Sequence, residues 1–202
     1  MYPMKISEHL SKEDVARFTR KSDFHGARLL MANWLAVAAI FAVVNAYTNP
    51  ITIVLAIVLL GGRQLGLSVL MHECGHRSLF QRAHLNDFIG QWLCALPVMN
   101  DMPSYAKGHL VHHQKAGTHD DPDLVNYQNY PVSRASFKRK IIRDLTGQTG
   151  LKLLSLIVRG AAGGMSREKR GSAKPFRQQL LVQLVLFAVL SLYGMPWAYL
   201  LW

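Results

Sequence analysis

Acidic charge is scarce in this sequence. It carries 12 Asp+Glu against 23 Lys+Arg over 202 residues, a formal net charge of +11. Charged residues of both signs make up only 17%, against 50% hydrophobic residues, with a mean hydropathy of +0.10. So little charge excludes a disordered tail or a solvated repeat. The positive surplus asks for an anionic neighbour: nucleic acid, anionic lipid or an acidic protein. Cysteine is also nearly absent. Cys74 and Cys94 cannot build a disulfide framework, so a reducing, cytoplasm-facing setting is expected. The first 28 residues mix polar and charged side chains and show no secretory signal pattern. Histidine disappears after His119, and residues 179–193 contain no Asp, Glu or His.

What is present is long apolar sequence. Residues 29–47 read LLMANWLAVAAIFAVVNAY without a charge, which at about 1.5 Å per residue matches a bilayer core. Thr48-Asn49-Pro50 is a turn signal. A second apolar run, read as one span, covers 51–71 and contains the less apolar Gly61-Gly62-Arg63-Gln64. A third covers 179–193, Gly194-Met195-Pro196 turns the chain, and a partial span starts at Trp197. Six basic residues lie in 1–28 and sixteen between Arg77 and Arg177, with none in either short turn. The positive-inside rule then places the N-terminus and the 77–177 segment on the cytoplasmic side. Basic residues that flank apolar spans and carry no reader motif argue against nucleic acid as the partner. The expected fold is an all-α polytopic membrane protein: helical hairpins with a cytoplasmic His-rich cap and interfacial helices, one domain over 1–202. Residues 134–178 interleave basic and apolar positions, which fits a surface-lying amphipathic helix or an ordinary basic loop.

Seven of the nine histidines fall between His72 and His119. His72-Glu73-Cys74-Gly75-His76 sets two imidazoles at i and i+4, on one helix face. If 109–113 is helical, His109, His112 and His113 share a face as well. Neutral imidazole suits Fe, Zn, Cu and Ni, and five such ligands exceed what one tetrahedral zinc requires. The first cluster also fits H-E-x-x-H, the pattern of a zinc metalloprotease with Glu73 as general base. That alternative leaves His109, His112 and His113 without a role and lacks a third ligand in 179–193.

Together MHECGHRSLF (71–80), GHLVHH (108–113) and THDDPDL (118–124) resemble the membrane fatty acid desaturase superfamily, whose desaturases and hydroxylases carry three histidine boxes. The separation of 33 positions from His76 to His109 matches the family spacing, with a peripheral helix over about 86–100 in between. The resemblance implies that His72, His76, His109, His112 and His113 are ligands of two irons. It implies O2 as co-substrate and an acyl-lipid or acyl thioester as substrate. Electrons would come from a separate donor of ferredoxin or cytochrome b5 type. The third box, which in the family follows a fourth span, is absent, so the expected chain is a desaturase incomplete at its C-terminus. Hydroxylation of a lipid or carotenoid, or a non-catalytic truncated fragment, are the alternatives within the same lineage. The lack of a transit or retention signal favours a bacterial inner membrane.

Other residues keep two readings. His119, Asp120, Asp121 and Asp123 are candidates to orient ligand imidazoles through their other ring nitrogen, while Asp121-Pro122-Asp123 equally suits a turn. Asn100, Asp101 and Pro103 mark the end of the peripheral helix or line a substrate entrance. Trp92 suits an interfacial anchor. Arg63, expensive in lipid, snorkels, pairs or marks a cavity. Cys74 suits simple packing.

Overall fold

The computed structural model describes residues 9–161 and 173–202, whose regular structure is all helical, with no strand among them. Two compact units divide the chain: Met1–Val98 with Leu200–Trp202, and Met99–Tyr199.

The first unit is built on a hairpin of α2 (Asp23–Ala46) and α3 (Pro50–Gly75), preceded by the short α1 (Lys12–Phe18). The Ser22 hydroxyl accepts from His25 N–H and starts α2 six residues before the apolar run, so the helix exceeds the expected span at that end. Tyr47 and Thr48 lead into Asn49, whose side chain accepts from Ile51 and Thr52 N–H while Thr52 Oγ1 accepts from Asn49 N–H. Pro50 follows at the first turn, where its missing N–H costs nothing. The turn is thereby closed and the two helices run antiparallel. Their seam is Leu30, Asn33, Val37, Phe41 and Val44 against Ala56, Leu60, Leu67 and Met71, spaced three, four or seven apart.

Away from the seam the hairpin is apolar and exposed: Leu35, Val43, Val54, Val58 and Leu65 each show more than half their surface. In water such a surface would be a liability; against lipid it is the required one. Among the described residues three helical segments are long and apolar enough to cross a membrane: Lys12–Ala46, whose apolar part is α2, Pro50–Gly75 and Pro175–Leu192. The less apolar stretch at 61–64 lies within one continuous helix, as the span 51–71 requires. α3 continues through Gly61 and Gly62 because helical hydrogen bonding outweighs the propensity cost of about 1 kcal/mol per glycine. It therefore runs on through the first histidine cluster to Gly75.

After α3 the chain folds back on α2. Asp23 accepts hydrogen bonds from Gln81 and Arg82 N–H and pairs with the Arg82 guanidinium at 3.2 Å. A Cβ on Gly26 would lie 2.6 Å from Leu79 O and 2.8 Å from the Phe80 ring, so only glycine permits this approach. The peripheral helix begins at α4 (Ala83–Ile89) and continues as a π-helical stretch (Gly90–Ala95) and a 3₁₀ turn (Leu96–Val98). Trp34 Nε1 donates to Leu93 O and Trp202 Nε1 to Pro97 O, and the two indoles stack at 6.1 Å. Trp92 is partly buried.

The second unit holds α5 (Met102–Lys115), α6 (Leu124–Tyr127), α7 (Arg134–Leu145), α8 (Gln148–Ala161) and α9 (Ala173–Leu192). α7 carries Arg134, Lys138, Arg139, Lys140 and Arg143, and α8 exposes Leu151, Leu153, Leu154, Leu156 and Val158. The 134–178 segment thus holds two helices joined by a turn at Thr146-Gly147, followed by the start of α9; its residues 162–172 lie outside the described residues, as does the charged stretch before residue 9. α9 is the third apolar helix, longer at its start than the expected 179–193. Gln179 on it donates to Asn100 O at 3.1 Å, and Tyr199 donates to Gln183 at 2.9 Å. Gly194, at φ 74°, makes the turn that follows, and Pro196–Leu201 form a 3₁₀ helix.

Candidate metal centre

The first histidine pair occupies the last turn of α3. His72 and His76 lie one turn apart with ring centroids at 4.7 Å and planes at 64°. The turn is fastened from behind. Ser78 N–H and hydroxyl both donate to Glu73 O, and the hydroxyl also reaches Glu73 Oε2 at 2.5 Å. Asn86, wholly buried, accepts from Phe80 N–H and donates to Phe80 O and Arg82 O. Asn86 thus satisfies both backbone groups of Phe80, while Asp23 takes the Gln81 and Arg82 N–H. Cys74 and Cys94 are buried free thiols in contact. The hydrogen bond with Cys74, and then burial, push the Cys94 thiol up, so it stays protonated and packs as a small apolar group.

The second group sits on α5. Asp101 starts that helix by accepting from Ser104 N–H and Oγ, which makes the 100–103 segment a helix boundary. The i, i+3, i+4 spacing then gathers three rings. His109 and His113 meet with their Nε2 atoms 3.0 Å apart, and His112 lies 5.9 Å and 5.7 Å from them by ring centroid. Two imidazole nitrogens each about 2.1 Å from one ion, at a right angle, are about 3.0 Å apart. The pair therefore fits a shared metal as well as it fits an N–H···N bond. Tyr105 stacks on His109 at 5.1 Å.

His112 is oriented by a carboxylate. Its Nδ1 lies 2.8 Å from Asp121 Oδ1, and Asp123 Oδ2 stands 3.8 Å away. With Nδ1 engaged, Nε2 is the nitrogen left for a metal, an arrangement that fixes the tautomer and raises ligand basicity. Asp121 is 5% exposed, and its carboxylate also accepts from Asp123 N–H and from the Tyr127 hydroxyl. Tyr127 in turn accepts from Gly117 N–H at 3.0 Å. Burial alone would raise the Asp121 carboxyl, but the bonds from Tyr127, His112 and Asp123 hold it well below the usual carboxylate range. The bond to Asp121 is the main cause that raises His112, opposed by partial burial. The same contact, ahead of burial and partly offset by Gly117, raises the Tyr127 phenol.

The donor set is imidazole backed by carboxylate, which suits a first-row transition metal rather than a hard cation. The family model for fatty acid desaturases matches residues 48–202. The chain belongs to the fatty acid desaturase family. It is 29% identical over 89 residues to the sn-1 acyl-lipid omega-3 desaturase (ferredoxin) of Nostoc sp. (strain 36), covering 44% of this chain and 23% of that protein. It is 32% identical over 93 residues to the beta-carotene ketolase of Paracoccus sp. (strain PC1), covering 45% of this chain and 38% of that protein. The chain thus matches less than two-fifths of the length of either relative. No solved structure matches it significantly. As a desaturase-family chain with three spanning helices, it is a membrane protein. Family membership leaves the zinc-protease alternative without support, and Glu73 is held by Ser78.

The structure places the candidate orienting residues unequally. Asp121 touches His112 directly and Asp123 flanks it. Asp120 is exposed and pairs with Lys115 at 3.3 Å, and His119 is exposed. Turn and orienting roles coincide in Asp121: its N–H donates to Thr118 O and its C=O accepts from Leu124 N–H, while its side chain holds His112. Tyr127, Asn86 and Ser78 were missed, because no spacing pattern links Tyr127 to Asp121, Asn86 to Phe80 or Ser78 to Glu73.

Proposed function

We propose that this chain contributes the first two histidine boxes of a membrane di-iron oxidoreductase that introduces a double bond into a fatty acyl chain. Its proposed metal ligands are His72, His76, His109, His112 and His113, with Asp121 and Asp123 behind His112, and no further catalytic residue is assigned. The observation that carries the reading is the Asp121–His112 contact within a helical His109/His112/His113 group, in a chain of this family. Two irons so held, when bound, supply the oxidising power for activating O2 against an unactivated C–H bond. The protein residues position and tune. Asp121 keeps His112 protonated on Nδ1 and its Nε2 available. Asn86, Asp23 and Gly26 fix the segment leaving the first box. The spanning helices bring the site to a substrate that arrives from lipid.

The substrate is an acyl-lipid or acyl thioester. Electrons come from a separate carrier of ferredoxin or cytochrome b5 type, whose acidic surface the basic residues of 77–177 complement. The N-terminus and histidine boxes face the cytoplasm, in a bacterial inner membrane, by the distribution of Lys and Arg. Carotenoid or lipid oxygenation is the second reading, favoured by the ketolase relative alone.

The test is iron content together with product analysis of the purified protein, given a reduced carrier, O2 and acyl-lipid. A new double bond supports the primary reading. A hydroxyl or keto product supports the second. A chain that binds no iron would overturn both and leave a non-catalytic fragment. Glu73→Gln should leave iron binding in place, whereas a zinc protease would lose its activity with that residue.

A further inference from the structure

Arg63 lies in the middle of α3, in a helix that spans the membrane, and no carboxylate among the described residues forms an ion pair with it. It opens into a groove of about 430 Å³ between α2 and α3, lined by Leu29, Ala32, Leu65, Val69 and Leu70. Asn33 is 5% exposed and packs closely on α3. Its Nδ2 donates to Arg63 O at 3.2 Å, and its Oδ1 lies 2.6 Å from where a Gly66 Cβ would stand. Arg63 is therefore the single charged group in a groove whose other lining residues are apolar apart from Asn33.

We propose that this groove is a binding site for an anionic phospholipid, its phosphate on the Arg63 guanidinium and one acyl chain along the apolar wall. Depth supports the assignment. The Asn33 contact puts Arg63 level with Asn33, five residues beyond Arg28 and so about 7–8 Å deeper along α2. From there the long arginine side chain rises toward the head groups of the leaflet at the histidine-bearing end. A buried cation in lipid must find a counter-charge, and guanidinium takes phosphate oxygens in a bidentate manner. Charge selects the lipid class. A zwitterionic head group brings its own cation against Arg63, whereas an anionic one leaves the phosphate free to neutralise it. The apolar wall selects a lipid over a free phosphate. Occupancy would brace the α2–α3 seam about 13–14 Å along the axis from His72, and it is independent of the metal centre.

The test is native mass spectrometry of the purified full chain in detergent, with phosphatidylglycerol and phosphatidylcholine of identical acyl chains added in competition. The wild type should retain phosphatidylglycerol about tenfold better, the equivalent of about 1.4 kcal/mol. Arg63→Gln should bring the two lipids to parity. Gly62→Leu should reduce retention of both, since a Cβ there meets nothing within 4 Å and a leucine fills the groove without disturbing the helix. Arg63→Lys keeps the charge and should keep a reduced preference, a check should the glutamine variant fold poorly. Inorganic phosphate at matched concentration should not displace the lipid. A wild type without preference, an Arg63→Gln chain that keeps it, or displacement by phosphate alone would overturn the proposal.

Discussion

Replacing Asp121 with Asn separates the orienting role of this residue from its role in the turn. The carboxylate takes three donors: His112 Nδ1 and Asp123 N–H, each at 2.8 Å, and the Tyr127 hydroxyl. Asparagine is nearly the same size and offers one oxygen. Placed at Oδ1, that oxygen keeps His112 and Asp123. The amide nitrogen then faces the Tyr127 hydroxyl, which already accepts from Gly117. The turn survives with one mismatched contact, but the negative charge behind His112 is gone. Carboxylates that orient a ligand imidazole typically contribute a factor of about 10–100 in metal affinity. A loss of that size is expected for Asp121→Asn, with little change in helix content. The measurement is an anaerobic titration of the apo-protein with Fe(II), or Co(II) as a spectroscopic substitute, against a competing chelator. Asp120→Asn is the control, since Asp120 is exposed and paired only with Lys115, and it should bind metal as the wild type does. Wild-type affinity in Asp121→Asn, or an equal loss in Asp120→Asn, would refute the reasoning.

Three further outcomes follow from the packing. Gly26→Ala would place a methyl 2.6 Å from Leu79 O, so an overpacking cost of about 1–3 kcal/mol is expected, read as a lower thermal midpoint by circular dichroism. An unchanged midpoint would mean that the segment after the first box can move aside. Asn86→Leu strands Phe80 N–H and Phe80 O, at about 1–3 kcal/mol for each group left buried and unpaired, and should weaken metal binding at His72 and His76 as well as the fold. Tyr127 should ionise above the ordinary tyrosine value, because its proton is donated to Asp121. With the folded value raised, the contact stabilises the fold fully below the unfolded value of about 10 and is lost as pH rises through the folded one. The phenolate absorbance difference between wild type and Tyr127→Phe reads this directly, and an ordinary titration for that residue would disprove the contact.

Spans, turns and histidine spacing needed no tertiary information. Apolar runs of bilayer length can only be helices in lipid, because every backbone group must be satisfied within the segment. The i, i+3, i+4 placement of His109, His112 and His113 makes one face in any α-helix. Family likeness was carried by the same short stretches, and the match over residues 48–202 agrees with them. The less apolar Gly61-Gly62-Arg63-Gln64 stretch stays within the second span, which packs along Leu60 and Leu67.

What the linear pattern held was therefore the periodic part of the molecule: which residues face together along one helix, and which segments must be helical at all. The tertiary structure decided the rest. Only folding shows that Asp121, among four equally placed candidates, is the residue buried against His112, with Tyr127 six positions on closing its other side. Only folding shows that Gly26 is needed for the close approach of Leu79 and Phe80, and that Arg63 faces an apolar groove with its backbone held by Asn33. The physical reason is the same in each case. Helical periodicity is a property of neighbours in sequence, whereas burial, a shared proton or an unpaired charge depends on segments that meet only when the chain has packed.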